Sequence, residues 1–113
     1  MEMGAWGEWP EKRTDAHAQR QRRMELTRTL RITNELGLHA RSAAKIVELS
    51  AQFEARLYLS KDEQEVDGGS ILSILTLACP KGTTITVRIV GNDAEPFMKT
   101  LCCLFNEKFG ETS

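Results

Sequence analysis

Apolar residues recur with two distinct periods between residues 26 and 109 of the chain. Four segments alternate apolar with polar residues, which is typical of strands that bury one face. They span residues 26–33, 55–60, 64–67 and 85–89. Three segments place apolar residues three or four positions apart, which is typical of amphipathic helices. They span residues 40–53, 70–79 and 94–109. Because each strand has one polar face, the helices must cover the other, which predicts an α+β open sandwich of two layers.

Turn-forming residues separate the predicted elements. Gly68 and Gly69 end the third strand, and Pro80 stops the helix that follows it. Asp93 is predicted to cap the last helix, whose Pro96 is compatible only with a first turn. The side chains that this helix is expected to bury are Met98, Leu101, Leu104 and Phe105.

Residues 1–25 lack this periodicity. They contain Trp6 and Trp9 and then a polar stretch, 11–23, without Leu, Ile, Val or Phe. Such a stretch buries too little apolar surface to offset the entropy of ordering. We therefore expect a flexible N-terminal extension over residues 1–25 and one domain over residues 26–113.

Composition and charge exclude several classes of protein. The 113 residues carry 15 Lys and Arg against 16 Asp and Glu, so no field of one sign favours nucleic acid. No apolar run reaches the length of a membrane span. Cys79, Cys102 and Cys103 have neither a disulfide framework nor zinc spacing, which favours a reducing, cytoplasmic compartment. No metal site is expected, and Cys102 and Cys103 are predicted to pack as small apolar groups.

Of the two histidines, His39 has the sequence context that best supports chemistry. It lies at the predicted start of the first helix, where unpaired N–H groups and the helix dipole favour an anion. The same field disfavours an imidazolium and leaves a neutral, nucleophilic ring. Arg41 can reach a phosphate, and Gly37 allows a close approach of the loop. A histidine that accepts a phosphoryl group requires these features, although packing or surface exposure is the commoner role of a lone histidine.

Two segments resemble the signatures of HPr, the histidine phosphocarrier family of the bacterial phosphotransferase system. Asn34-Glu-Leu-Gly-Leu-His-Ala-Arg-Ser-Ala-Ala-Lys45 resembles its active-site segment, and Val66-Asp-Gly-Gly-Ser-Ile-Leu72 is similar to its second signature. The resemblance covers about residues 26–111. It implies an HPr-like open-faced sandwich, with a four-stranded antiparallel sheet covered on one face by three helices. It also implies a monomeric carrier that is itself phosphorylated, needs no cofactor and is not a turnover enzyme.

The resemblance assigns roles to individual residues. His39 would accept the phosphoryl group on Nδ1 from phospho-enzyme I, with phosphoenolpyruvate as the ultimate donor, and pass it to an enzyme IIA domain. Arg41 would stabilise the group, together with the backbone N–H groups of Ala40 and Arg41. The family has a proline where this chain has Ser42. Because proline presets φ and needs no N–H partner, we expect a less rigid helix start here.

The second predicted helix raises two questions. Ser70 can cap it through its hydroxyl, or, as the resemblance implies, Ser70 is phosphorylated by HPr kinase/phosphorylase. The helix is also too apolar for all of its side chains to face one core. Core burial is the default for most of them, but a residual exposed patch would mark an interaction site, and the resemblance implies that this helix and the first one form the docking face. The candidates for docking, with a lysine from the first helix, are Ile71, Leu72, Leu75 and Lys45.

Two other functions compete with the carrier. One is a regulatory binding module, either of the nitrogen-related phosphotransferase branch or as a Ser70-phosphorylated regulator of transcription factors. The presence of His39 with Arg41 argues against that as the sole role. The other is a small RNA-binding domain, which the near-neutral charge and the presence of only one aromatic residue, Tyr58, on the predicted strands disfavour. Sugar uptake and the nitrogen-related branch both remain open.

Overall fold

The computed structural model describes residues 24–112. The elements, in chain order, are β1 Glu25–Arg31, α1 Ala40–Ser50, β2 Arg56–Lys61, β3 Gln64–Asp67, α2 Ile71–Leu75, β4 Thr84–Val90 and α3 Ala94–Asn106, followed by a 3-10 turn over Lys108–Gly110. The predicted extension lies outside the described residues except for its last two, and β1 begins at Glu25. None of the helices in the described range is long and apolar enough to cross a bilayer.

The strands form one antiparallel sheet in the order β1-β4-β2-β3. In β4, Ile85, Val87 and Ile89 are buried and alternate with more exposed residues. Across the ladder, Leu57 of β2 pairs with Ile89, and Leu59 pairs with Val87. One face of the central strands is therefore continuously apolar, as their period of two requires.

The three helices pack on that apolar face. Ile46 of α1, Ile74 of α2 and Phe97 of α3 are fully buried. The ring of Phe53 stacks on Phe97 with 4.6 Å between centroids. The predicted α+β sandwich is therefore confirmed. The predicted core of the last helix differs from the structure at two residues. Phe97 was not predicted but is fully buried, and Leu104 was predicted as buried but is only half-buried against the core.

The second helix is shorter than predicted. It ends at Leu75, and Ala78 has a left-handed φ of 53°. The ammonium of Lys61 donates to the carbonyls of Leu77 at 3.0 Å and Ala78 at 2.8 Å. Because Lys61 satisfies carbonyls that follow the helix, the chain can leave the helical path there while Leu77 and Cys79 stay buried.

Asp93 occupies the N-cap position of α3, but its side chain does not cap the helix as predicted. Its carboxylate oxygens accept the backbone N–H groups of Glu54 at 2.9 Å and Ala55 at 2.8 Å. The side chain thus ties the start of α3 to the residues that enter β2. Local sequence could not reveal this because the donors are distant in the chain.

Two other expectations are wrong in detail. The first helix ends at Ser50 instead of Phe53, because Gln52 and Phe53 bond to the carbonyls of Leu49 and Ser50 in tighter turns. Cys103 lies on the exposed side of α3, whereas its neighbour Cys102 packs half-buried against the core.

Candidate functional site

His39 is the N-cap residue of α1, as the sequence predicted. Its backbone is extended, with φ −130° and ψ −175°. The preceding loop is held against the segment after α2, because Leu38 donates its N–H to the carbonyl of Cys79 at 2.8 Å. Gly37 has φ +70°, and a Cβ there would collide with the Cys79 carbonyl. Only glycine therefore lets the loop approach closely enough to place His39 at the helix start.

Ser42 supplies hydrogen bonds that a proline could not make. Its hydroxyl is fully buried and accepts the N–H of His39 at 2.9 Å. The same hydroxyl lies 3.1 Å from the carbonyl of Gly37 and 3.2 Å from that of His39, to either of which it can donate. The less rigid helix start that the sequence predicts stays a prediction. The sequence did not reveal that the buried hydroxyl of Ser42 links the backbone of His39 to that of Gly37.

The imidazole of His39 is held by a carboxylate that the sequence did not single out. Nε2 of His39 lies 2.8 Å from Oε2 of Glu111, whose side chain is only 13% exposed. A hydrogen bond from Asn34 is the chief cause of a lowered pKa of Glu111, with His39 and Arg41 also contributing. Because an ionised carboxylate only accepts, it favours the tautomer with the proton on Nε2, which leaves the lone pair of the ring on Nδ1. That nitrogen lies on the side of the capping box, where the backbone N–H of Ser42 faces the His39 side chain.

The segment that brings Glu111 to His39 is an unusual turn after α3, here called the C-terminal hook, residues 107–112. Lys108, Phe109 and Gly110 have left-handed φ values of 56°, 59° and 79°. The side chain of Phe109 is buried, and its ring lies 4.9 Å from that of Phe105. A left-handed phenylalanine is strained, so burial of its ring holds the turn that reverses the chain toward His39.

Lys45 contacts the hook instead of presenting a free charge. Its Nζ donates to the carbonyl of Phe109 at 2.6 Å. The sequence predicted Lys45 as part of a docking surface, and that role stays a prediction. The bond gives Lys45 a further role as an anchor of the hook, which the sequence could not reveal because the acceptor is a backbone carbonyl far along the chain.

Arg41 and the backbone of Ala40 share one open cavity with His39. Its lining also includes Leu36, Gly110, Glu111 and Thr112. Arg41 is exposed and forms no salt bridge with any residue from 24 to 112. Ala40 and Arg41 occupy the first turn of α1, where backbone N–H groups have no partner within the helix. The cavity therefore joins a nucleophilic nitrogen, helix N–H groups and a guanidinium, a combination suited to a phosphate.

The residues of α2 that were predicted to dock differ in exposure, and their role in docking stays a prediction. Ser70 is the N-cap of α2, and its hydroxyl accepts the N–H of Ser73 at 3.3 Å, which matches the capping interpretation. Leu72 is 77% exposed and Ile71 37% exposed, whereas Leu75 is half-buried against the core. Leu36 is 67% exposed beside His39 and was missed, because a loop leucine has no periodicity to mark it. Within the described part of the chain, no group of His, Cys, Asp or Glu is arranged to hold a metal ion.

Comparison with known proteins agrees with this geometry. The family model described as the PTS HPr component phosphorylation site matches residues 26–107. The chain belongs to the HPr family. A phosphocarrier protein HPr from Xylella fastidiosa is 42% identical over 86 residues, covering 76% of this chain and 97% of that protein. A phosphocarrier protein NPr from Escherichia coli is 38% identical over 89 residues, covering 78% of this chain and 99% of that protein.

Solved HPr structures share the fold. The crystal structure of an HPr from Thermoanaerobacter tengcongensis superposes with a TM-score of 0.75 at 34% identity, covering 78% of this chain and 99% of that one. The chain is accordingly an HPr or NPr type phosphocarrier of the phosphotransferase system. The expectation drawn from the two sequence signatures is confirmed at this level.

Proposed function

We propose that His39 accepts a phosphoryl group on Nδ1 from phospho-enzyme I and passes it to a histidine of an enzyme IIA domain. The hydrogen bond between Nε2 and Glu111, at 2.8 Å, is the observation that carries this proposal. It occupies the ring nitrogen that lies against the hook and leaves Nδ1 to react. Nδ1 is close to its own helix start, where N–H groups and the dipole stabilise the incoming negative charge.

The transfer balances without any other reactant. The lone pair of Nδ1 forms a bond to phosphorus as the phosphorus–nitrogen bond of the donor histidine breaks, and the electron pair of that bond returns to the donor nitrogen. The proton on Nε2 stays in place, so the phosphorylated ring of His39 is cationic. The carboxylate of Glu111 lies beside this charge and stabilises it. A cationic ring is also a good leaving group, which favours onward transfer to the acceptor.

Arg41 and Ala40 are proposed to bind the transferred group. Arg41 lines the cavity of His39 with its guanidinium free of salt bridges to described residues. The backbone N–H groups of Ala40 and Arg41 are the unpaired donors nearest the helix start. Together they would stabilise charge on the phosphoryl oxygens during transfer, the usual protein contribution to this chemistry.

We also propose that enzyme I and enzyme IIA domains dock on exposed apolar residues, one lining the cavity and two at the start of α2. Leu36, Leu72 and Ile71 are the large exposed hydrophobic residues near the two family signatures. An exposed apolar patch is typical of an interaction site. We propose that the protein acts as a monomer in the cytoplasm and that its partners bind to this patch one after another. Relatives of the HPr type and of the NPr type have similar identities of 42% and 38%, so both sugar uptake and the nitrogen-related branch are retained as pathways.

Phosphorylation by purified enzyme I, phosphoenolpyruvate and magnesium tests the carrier proposal. Intact-mass measurement should show one acid-labile phosphoryl adduct on the wild type and none on His39→Ala. The only other histidine, His17, provides the matched control, since His17→Ala should still acquire the adduct. A wild type without an adduct, or an adduct that persists in His39→Ala, would show that the proposal is wrong.

Regulation through Ser70 is a second candidate. Ser70 is half-buried at the start of α2, directly before the exposed Ile71 and Leu72. A phosphate there would add charge beside the proposed docking surface. HPr kinase/phosphorylase with ATP should then phosphorylate the wild type but not Ser70→Ala. If Ser70→Ala abolished the physiological effect while His39→Ala did not, a purely regulatory module acting on transcription factors would replace the carrier.

A further inference from the structure

Asn34 is a buried polar residue linked to the chemistry at His39 through one intermediate. Its side chain is fully buried, and its amide nitrogen donates to two acceptors. One is the carbonyl of Gly37 at 2.8 Å, and the other is Oε1 of Glu111 at 3.0 Å. The second carboxylate oxygen of Glu111 contacts Nε2 of His39 at 2.8 Å. A continuous chain of hydrogen bonds therefore runs from Asn34 through Glu111 to the imidazole.

The orientation of the Asn34 amide follows from its neighbours. Rotation by half a turn would place Oδ1 against a carbonyl and a carboxylate, which are both acceptors, so the nitrogen must face them. Oδ1 then finds no hydrogen-bond partner among residues 24–112. A buried acceptor without a partner is unfavourable. The two bonds that the amide nitrogen donates must therefore offset the cost of leaving Oδ1 without a hydrogen bond.

Asn34 donates one bond to the loop, at Gly37, and one to Glu111, and among the described residues only the bond to Glu111 lacks a second donor that could replace it. The carbonyl of Gly37 is also within reach of the Ser42 hydroxyl at 3.1 Å, so it keeps a donor without Asn34. Oε1 of Glu111 has no such second donor within the described part of the chain. The amide of Asn34 also favours the ionised carboxylate and is the largest cause of the lowered pKa of Glu111.

We propose that Asn34 is a positioning residue for phosphoryl transfer: it fixes the carboxylate of Glu111 and, through it, the Nε2–H tautomer of His39. The proposal rests on the proposed function for the role of His39. Asn34 touches neither the phosphoryl group nor the reacting nitrogen. It acts by turning Oε2 of Glu111 toward the ring, so that the proton of the neutral imidazole lies on Nε2 and the lone pair on Nδ1 faces an incoming donor.

The tautomer of His39 provides a readout that a purely structural role would not move. Ring-nitrogen chemical shifts should show mainly the Nε2–H form in the wild type and a mixture in Asn34→Leu. Leucine has the same branched shape, removes both donated bonds and also removes the unpartnered Oδ1, so the domain should still fold. Asn34→Ala is the second replacement, which leaves space instead of filling it. Glu35→Gln, on the exposed neighbour, is the matched control and should leave the tautomer unchanged.

Phosphorylation rates then show whether Asn34 acts through Glu111. Loss of a hydrogen bond to a charged group should slow phosphorylation of Asn34→Leu by about tenfold. In the Glu111→Ala background the same replacement should have no further effect, because the intermediate is gone. A similar slowing in that background, or an unchanged tautomer in folded Asn34→Leu and Asn34→Ala, would overturn the proposal. Failure of the wild type to accept a phosphoryl group would instead refute the proposed function, and the tautomer measurement would still decide the role of Asn34.

Discussion

The serine at position 42 allows a direct measurement of what stabilises the start of α1. Its buried hydroxyl accepts the N–H of His39 at 2.9 Å and can donate to Gly37. Ser42→Ala removes these bonds and leaves the His39 N–H without its acceptor, which should lower the free energy of unfolding by about 1.5 kcal/mol. Ser42→Pro loses the same bonds but restricts the unfolded chain, which returns about 0.5 kcal/mol. We therefore expect the order of stability to be wild type, then proline, then alanine.

Urea unfolding at neutral pH, monitored by circular dichroism, measures these differences. In thermal unfolding, each 1 kcal/mol should shift the midpoint by roughly 4–8 °C for a domain of this size. Ser73→Ala, which removes a hydroxyl from α2 without touching the His39 loop, is a suitable control. If Ser42→Ala unfolds at the wild-type midpoint, the hydroxyl does not hold the loop. If Ser42→Pro is more stable than the wild type, restriction of the backbone outweighs the bridge and our reasoning fails.

Three further predictions concern the hook and the docking surface. Lys45→Met keeps the aliphatic stem but removes the bond to the Phe109 carbonyl, so the free energy of unfolding in urea should fall by about 1 kcal/mol. An unchanged unfolding midpoint would contradict the anchoring role. Leu72→Asp should raise the KM for phosphorylation by enzyme I without lowering stability, whereas Cys103→Asp, on exposed α3 surface, should leave the KM unchanged. The pKa of Glu111 is lowered in the folded state, so the ionised carboxylate should stabilise the fold fully at neutral pH. This stabilisation should be lost as the pH falls below the ordinary titration range of a glutamate. Unfolding measured across that range should show the loss in the wild type and not in Glu111→Gln.

The fold could be predicted because its signals are local and repeated. The alternation of Ile85, Val87 and Ile89 marks a strand from its own residues, and the same is true of the other central strand. The length of α2 could not be predicted in this way. Leu77 and Cys79 are apolar as in a helix, but the ammonium of Lys61, contributed by β2, satisfies the carbonyls beyond the helix end.

In the site, as in the fold, features set by neighbouring residues could be predicted and contacts between distant residues could not. His39, Arg41 and Gly37 lie within one short segment, so their arrangement at a helix start follows from local sequence. Glu111 is 72 positions from His39, in a segment without periodicity, and nothing in the sequence marks it as a partner. Asn34 belongs to the recognised segment, but its role depends on Glu111 and was equally hidden.

The direction of β1 has a practical consequence for experiments that attach this protein to something else. β1 starts at Glu25, beside Val90, and runs seven residues toward the loop that carries His39, a distance of about 20 Å. Thr112, by contrast, lines the cavity of His39 itself. A label, bead or fusion partner joined through the N-terminal side therefore meets the domain at the end away from the imidazole, whereas one joined after Thr112 crowds it. Assays of phosphoryl exchange should accordingly use N-terminal attachment.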